Sequence, residues 1–528
     1  MTPVALFEFV LLTMVAVLCL QVAARRTGLP PAAALIVGGI VLAFVPGVPV
    51  VSLDPDLVLV LFLPPLLMDG AYFTAWPDFR RELAGILSLA VGAVAFTTLS
   101  VGLAVHWLAP GLPWAACFAL GAVVSPPDAV AAKAVLEHVS LPRRLMVLLE
   151  GESLLNDAAG LVLFRFAVAA ALTGAFSLPD AALNFGFLAL GGLAVGAAAG
   201  FAWVVLLGLL RDDYLIISAA ILLSWVAYLS GEAVHVSGVI ATVTAGLILG
   251  WQQHRIFSAG VRLRATAFWK VMVFLMEAFV FILIGLSLRG VVERLDGADE
   301  AIRTLGLPVL GVVAAVVLSR FAWVFVADVL RVGMHRVLGR PGRPASPAAS
   351  LVLGWAGMRG VVTLAIALSV PEAMPGRDLI LAAAFAVILV TVLLQGTTIG
   401  LLIRVLGLGS VTDDDVAHLT RAQARSHVAQ AQLVAVEALA RDGDGALRHP
   451  RLLEQYAHRA AAAERFSLAP GDHASDRSEH YRVLSAAIAA GRREVLRLHR
   501  AGRIHDETLH ALEHDLDLQE VTVATASG

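Results

Sequence analysis

Apolar runs long enough to cross a lipid bilayer recur from Val4 to Val405, separated by short clusters rich in Gly, Pro and Arg. A hydrocarbon core roughly 30 Å thick asks about 20 such residues of a helix, and within it only helices and closed barrels satisfy their own backbone. The runs fall at 4–23, 29–46, 56–74, 83–108, 113–137, 145–173, 183–210, 214–231, 235–251, 267–289, 305–330, 347–370 and 378–405. These thirteen segments predict an all-α polytopic membrane protein, with 29–46 and 235–251 short enough to be half-buried. Composition agrees: 59% hydrophobic and 15% charged residues, with a mean hydropathy of +0.83, are far outside the soluble globular range. The first run carries Glu8 and no preceding basic cluster, so it is expected to remain as a span and not to be cleaved as a signal peptide. Cys19 and Cys117 lie in separate apolar runs and read as small buried hydrophobes. A net charge of −3 gives no pointer to nucleic acid, and the lipid bilayer is the expected environment.

Arginine sets the orientation. Loops after odd-numbered segments hold Arg25 and Arg26, Arg80 and Arg81, Arg143 and Arg144, Arg211, Arg255 and Arg331, whereas loops after even-numbered segments are almost bare before Arg294. Short loops rich in Lys and Arg stay cytoplasmic, which puts the N-terminus outside and the C-terminus inside a cell inner membrane. Composition changes after Leu408, giving a transmembrane domain over 1–408 and a cytoplasmic helical domain over 409–528. The latter shows helical apolar spacing at Leu433, Val436 and Ala440, and again at Leu509, Leu512 and Leu516. Ten of the fifteen histidines lie in it, which suits a pH-sensing role or simply an exposed helical surface.

Chemistry is concentrated where polar residues interrupt the apolar runs. Glu150-Gly151-Glu152-Ser153-Leu154-Leu155-Asn156-Asp157 lies inside the sixth segment, and ionisable groups at membrane depth usually face a bundle interior or a water-filled path. The fifth segment contains Ser125-Pro126-Pro127-Asp128, where tandem prolines should break the helix and expose carbonyls. Seven segments later Gly354 to Gly360 interrupts another span and holds Arg359. An odd offset reverses direction across the membrane, as in inverted repeats whose discontinuous helices meet at a midplane site. Arg359 needs a buried acid, for which Glu152 is the best candidate in a structural ion pair. Asp128 is suited to the exposed donors of a broken helix. Asp157 is then left to hold a proton, or to release it when a monovalent cation compensates its charge.

Glu150 to Asp157, continued by Ala158-Ala159-Gly160-Leu161-Val162, resembles the signature of the monovalent cation/proton antiporters, specifically the sodium/proton exchangers with an Asn-Asp pair in the ion-binding helix. Leu63-Pro64-Pro65-Leu66-Leu67-Met68-Asp69-Gly70, Ser125 to Ala131, Phe279 to Leu286 and Gly357-Met358-Arg359-Gly360 fit the same family in order, and Gly502 to Glu520 is similar to the tails of bacterial members. The clear resemblance runs through segments three to thirteen. It implies crossed discontinuous helices, with Asp157 as the exchanged carboxylate, Asn156 as its neighbour and Ser153 as a candidate ligand. It also places Asp128 in the crossed-helix site and makes Glu152 and Arg359 a structural pair. A homodimer is implied, in which a core domain moves against a dimerisation domain.

Some positions depart from the family. Pro127 stands where many relatives carry a hydroxyl, which leaves its backbone carbonyl as the only ligand there. Lys133 is expected to snorkel toward the cytoplasm. Glu277 and Arg320 are expected to pair with each other or with another partner, Arg165 to modulate the outer path, and Asp69 to line an ion entrance or cap a helix. The expected activity is antiport of Na+ against H+ without cofactor or covalent chemistry, electroneutral because Asn156 replaces a second acid. K+ and Li+ are alternative cargoes. A cation channel and a membrane-embedded hydrolase using Asp157 with Asp128 are the rival classes.

Overall fold

Every regular element among the described residues is helical, which is how a backbone is satisfied where no water reaches it. The structure is a computed structural model of the chain, describing residues 3–46, 54–128, 141–174, 177–294, 298–337, 346–408, 419–440, 447–468, 474–501 and 503–527. In order the helices are α1 Pro3–Thr27, α2 Pro31–Ala43, α3 Pro55–Phe73, the short α4 Trp76–Arg81, α5 Leu83–Leu108, α6 Trp114–Val124, α7 Arg143–Thr173, α8 Leu178–Leu209, α9 Asp213–Ala233 and α10 Gly238–Ile256. They continue as α11 Ala259–Arg294, α12 Ala298–Val337, α13 Pro347–Trp355, α14 Val361–Leu368 and α15 Arg377–Val405. Two of them contain a π-helical turn, Ser88–Ala93 in α5 and Thr391–Gln395 in α15. Among the described residues, nine helices (α1, α3, α5, α7, α8, α9, α11, α12 and α15) are long and apolar enough to cross a bilayer, while α2 and α6 are shorter apolar helices.

Local chemistry fixes several helix starts. Pro31 and Pro55 occupy first-turn positions, where a missing N–H costs nothing. Asp54 accepts from the backbone of Asp56 and Leu57 at 3.0 and 3.2 Å, and Asp212 and Ser237 cap α9 and α10 in the same way. The expected break at the tandem prolines is present: α6 stops at Val124, and Ser125–Asp128 are not helical. The later half of the predicted 113–137 segment, with Lys133, lies outside the described residues. The glycine-interrupted segment is also broken, with Ala356–Gly360 separating α13 from α14.

Buried apolar residues of the membrane unit form several clusters. One joins α5, α6, the far end of α7, α12, α14 and α15 through residues such as Val101, Leu120, Phe164, Val316 and Val387. Another joins α3, α8, α9, α10 and α11 through Met68, Leu207, Leu223, Leu249 and Trp269. The most extensive cluster, including Leu67, Leu154, Tyr228, Val243, Phe281 and Leu364, draws on helices of both.

The chain divides into two compact units, Met1–Asp413 and Asp414–Gly528. The second unit contains α16 Arg421–Leu439, α17 Pro450–Leu468, α18 Ala474–Arg500 and α19 Asp506–Ser527. Its predicted inward residues behave unequally, with Ala440 and Leu509 buried but Leu512 37% exposed. Arg492 of α18 reaches Asp517 and Glu520 of α19 at 2.7 and 2.6 Å, and His499 lies 2.6 Å from Asp506 where the two helices meet. Thr420 and Gln423 form a reciprocal capping box at the start of α16. Thr420→Ala should therefore cost about 1 kcal/mol of local helix stability. Hydrogen exchange on the full-length protein is expected to show faster exchange in the first turn of α16, with α18 and α19 unchanged.

Candidate ion-binding site

The sixth apolar segment becomes one continuous helix, α7, and its periodicity sorts the polar residues into two sets. Glu150, Ser153 and Asp157 recur at three- and four-residue intervals and, with Met146, Leu149 and Leu154, line one cavity. Glu152 and Asn156, also four apart, point into the protein interior, with 1% and 0% exposure. A single helix thus offers a wet face bearing the candidate exchanged carboxylate and a dry face bearing groups that need fixed partners.

Those partners are the broken helices. Asn156 Nδ2 donates to the Pro127 carbonyl at 2.5 Å, tying α7 to the break after α6. Gly160, one turn further along α7, lets Pro126 approach so closely that an added Cβ would overlap the proline ring. Across the break, the Asp128 N–H donates to the Met358 carbonyl at 2.7 Å, joining the two interrupted segments directly. The Val361 N–H donates to Asp128 Oδ2 at 3.3 Å, so a carboxylate sits at the start of α14, where it favours the positive end of the helix dipole. A Cβ at Gly360 would run into that carboxylate. Only glycine leaves room for this approach.

Arg359 does the converse for α6. Its Nε donates to the Val124 carbonyl at 2.9 Å and its Nη2 to the Ser125 carbonyl at 3.2 Å, with Nη1 on the Gly357 carbonyl. Its backbone N–H donates to Thr391 Oγ1 at 3.0 Å, in the π-helical turn of α15. The guanidinium therefore occupies the negative end of α6 and satisfies carbonyls that the break leaves without helical donors.

This corrects the expected pairing of Glu152 with Arg359. Glu152 instead forms a two-pronged pair with Arg320 of α12, Nη1 to Oε1 at 2.5 Å and Nη2 to Oε2 at 2.8 Å, both side chains almost completely buried. Arg320 Nε also donates to the Leu353 carbonyl of α13 at 3.2 Å. Two arginines compete for one acid, and the planar fork of Arg320 meets Glu152 face on, while the donors of Arg359 are consumed by carbonyls at the breaks.

The cavity has a volume of about 1950 Å³. Asp128 and Asp157 line it together, and on α7 its lining stops at Asp157. Its lining also takes in Arg25 near the end of α1, Phe73 at the end of α3, Arg404 near the end of α15 and Lys270 of α11. Asp69, 7% exposed, and Glu277 are further acids on its surface. Of the predicted site residues, Asp157, Asp128, Ser153 and Asp69 share this cavity, whereas Asn156 and Pro127 stand behind it, bonded to each other. Among the described residues Asp157 has no cationic partner, unlike Glu152. Sequence reasoning missed the roles of Met358 and Thr391. A main-chain acceptor leaves no signature, and one threonine in an apolar helix is ordinary. Arg165 lies 3.4 Å from Glu232, a residue that carried no sequence signal of its own.

A sequence model described as "Sodium/hydrogen exchanger, transmembrane" matches residues 10–405. An uncharacterized Na+/H+ exchanger from Mycobacterium tuberculosis is 33% identical over 512 residues, covering 94% of this chain and 92% of its own. A sodium, potassium, lithium and rubidium/H+ antiporter from Bacillus pumilus is 35% identical over 381 residues, covering 69% of this chain and 56% of its own. The solved structure of the sodium proton antiporter MjNhaP1 from Methanocaldococcus jannaschii matches with a TM-score of 0.61 at 20% identity, covering 77% of this chain and all of that one, and so shares its fold. Architecture and sequence together define a helical, multi-span membrane protein of antiporter fold. The chain belongs to the sodium/hydrogen exchanger family.

Breaking a buried ion pair strands a charge and typically costs about 3 to 5 kcal/mol. Glu152→Gln is therefore expected to lower the thermal unfolding midpoint of the purified protein sharply, and Glu152→Gln combined with Arg320→Met to recover most of the loss. The recovery, read by intrinsic tryptophan fluorescence on heating, separates a pair with Arg320 from any other role of Glu152.

Proposed function

We propose that the protein is a secondary antiporter that exchanges Na+ for H+ by alternating access, with Asp157 as the carboxylate that holds either ion. The observation that carries this reading is the division of charge at the site. Glu152 is matched by Arg320, Asp128 sits on the α14 start and Arg359 is spent on carbonyls, while Asp157 faces the cavity with no cationic partner among the described residues. A carboxyl group that gives up its proton and takes a monovalent cation is neutral in both states, so one cation moves for one proton. The exchange is then electroneutral. Ser153 and Asp128 line the site beside Asp157, and Asn156 with the Pro127 carbonyl hold the α6 break in register behind it.

The arginine-rich end is the cytoplasmic one by the positive-inside rule, with the N-terminus outside, the C-terminal unit in the cytoplasm and the chain in the cell inner membrane. In that orientation the cavity opens inward. Thirteen spans, inverted repeats that set α6 against α13 and α14, and a homodimer with one core moving against the other complete the reading. The Bacillus relative, named for four cations, makes K+ and Li+ the cargoes to test beside Na+.

Proteoliposomes containing the purified protein and a pH-sensitive dye test this reading. Addition of Na+ should move protons in wild type and not in Asp157→Asn, with no accompanying current on a solid-supported membrane. Undiminished exchange in Asp157→Asn would remove the assignment of the site. A cation current without proton movement would point to a channel.

A further inference from the structure

The contact between Arg165 and Glu232 is set apart by where it lies. Arg165 follows Asp157 by eight residues on α7, roughly 12 Å further along the axis and on the side opposite the open cavity, whose α7 lining stops at Asp157. Its neighbour Phe164 belongs to the apolar core of α5, α6, α12, α14 and α15, the core that carries the broken helices. Glu232 lies near the end of α9, whose Leu223 and Ala227 lie in the cluster of α3, α8, α10 and α11, while Tyr228 packs in the cluster that includes Leu154 and Ala158 of α7. The ion pair therefore links helices that also contribute to different apolar clusters, beyond the site and on the side away from the open cavity.

Glu232 is held in place for this contact. Its Oε1 accepts from the Gly238 N–H at the start of α10, at 3.3 Å, while Oε2 faces Arg165 Nη2 at 3.4 Å. The α9–α10 turn is tight, with His235 at φ 57°, so the carboxylate is held at this turn independently of Arg165. The side chains are 53% and 33% exposed. An ion pair in that setting is weak. Weakness suits a contact that opens and closes once per cycle, where the buried Glu152–Arg320 pair would not.

We infer that Arg165 and Glu232 form the outer gate of the transport cycle, a charge pair that holds the inward-open state closed on its far side and parts when the site turns outward. The inference rests on the antiport reading, and both residues are positioning residues that touch neither ion. Opening exposes the stretch of α7 between Asp157 and Arg165, including Leu161, to the outer solution.

The test measures that exposure directly. In the full-length protein with Cys19→Ala and Cys117→Ala, Leu161→Cys serves as a reporter in right-side-out membrane vesicles, probed from outside with a membrane-impermeant methanethiosulfonate. Arg165→Gln should raise the rate of modification about threefold to fivefold, the population shift that loss of one exposed ion pair can produce. Glu232→Gln, which removes the charge and keeps an acceptor for Gly238, should do the same, so that misfolding of either variant leaves the other to be read. The exchanged pair Arg165→Glu with Glu232→Arg should return the rate toward that of the reporter alone. Unchanged rates in the single variants, or a double variant as fast as they are, would overturn the gate. Na+-driven proton movement in the same vesicles keeps the two readings apart. Its absence in the wild-type chain removes antiport, whereas unaltered modification with exchange intact removes only the gate.

Discussion

A backbone that stops being helical inside a membrane must find hydrogen-bond partners within the protein, and the site depends on how that demand is met. Arg359 supplies donors to the carbonyls that end α6, and Asp128 supplies an acceptor to the N–H that begins α14. Each charge comes from one broken segment and serves the other, with the Asp128 N–H and Met358 carbonyl bonded between them. The crossing is thereby electrically matched at both helix ends, positive charge on exposed carbonyls and negative charge on an exposed amide.

With the crossing balanced, α7 can present a carboxylate to the cavity. Helical geometry turns Glu152 and Asn156 away from Asp157, so Glu152 is paired in the interior while Asp157 lines the cavity. Arg320 completes the separation by taking both oxygens of Glu152. Exposed polar contacts such as Arg165 with Glu232 add to the apolar clusters that hold the helices together.

Much of this was legible in the residues. The apolar runs marked where helices lie, the tandem prolines and the glycine cluster marked the two breaks, and the run from Glu150 to Asp157 marked the helix that carries the chemistry. Even the two faces of α7 are encoded in the spacing of Glu150, Ser153 and Asp157 against Glu152 and Asn156. The partner of Glu152 was not legible. Arg320 and Arg359 are both lone arginines in apolar segments, equally suited by composition, and the choice turns on which of them the break in α13 and α14 directs toward exposed carbonyls. Glu232 was equally silent, since an acid at a helix end is unremarkable until the α9–α10 turn comes beside Arg165 of α7.

The amino-acid sequence by itself determined that this chain is a bundle of membrane helices with charged residues at two interruptions, because hydropathy and proline act locally and need no partner. Only the tertiary structure decided which charges meet and which face water, because an ion pair is a property of two distant segments and of the carbonyls that compete for the same donors.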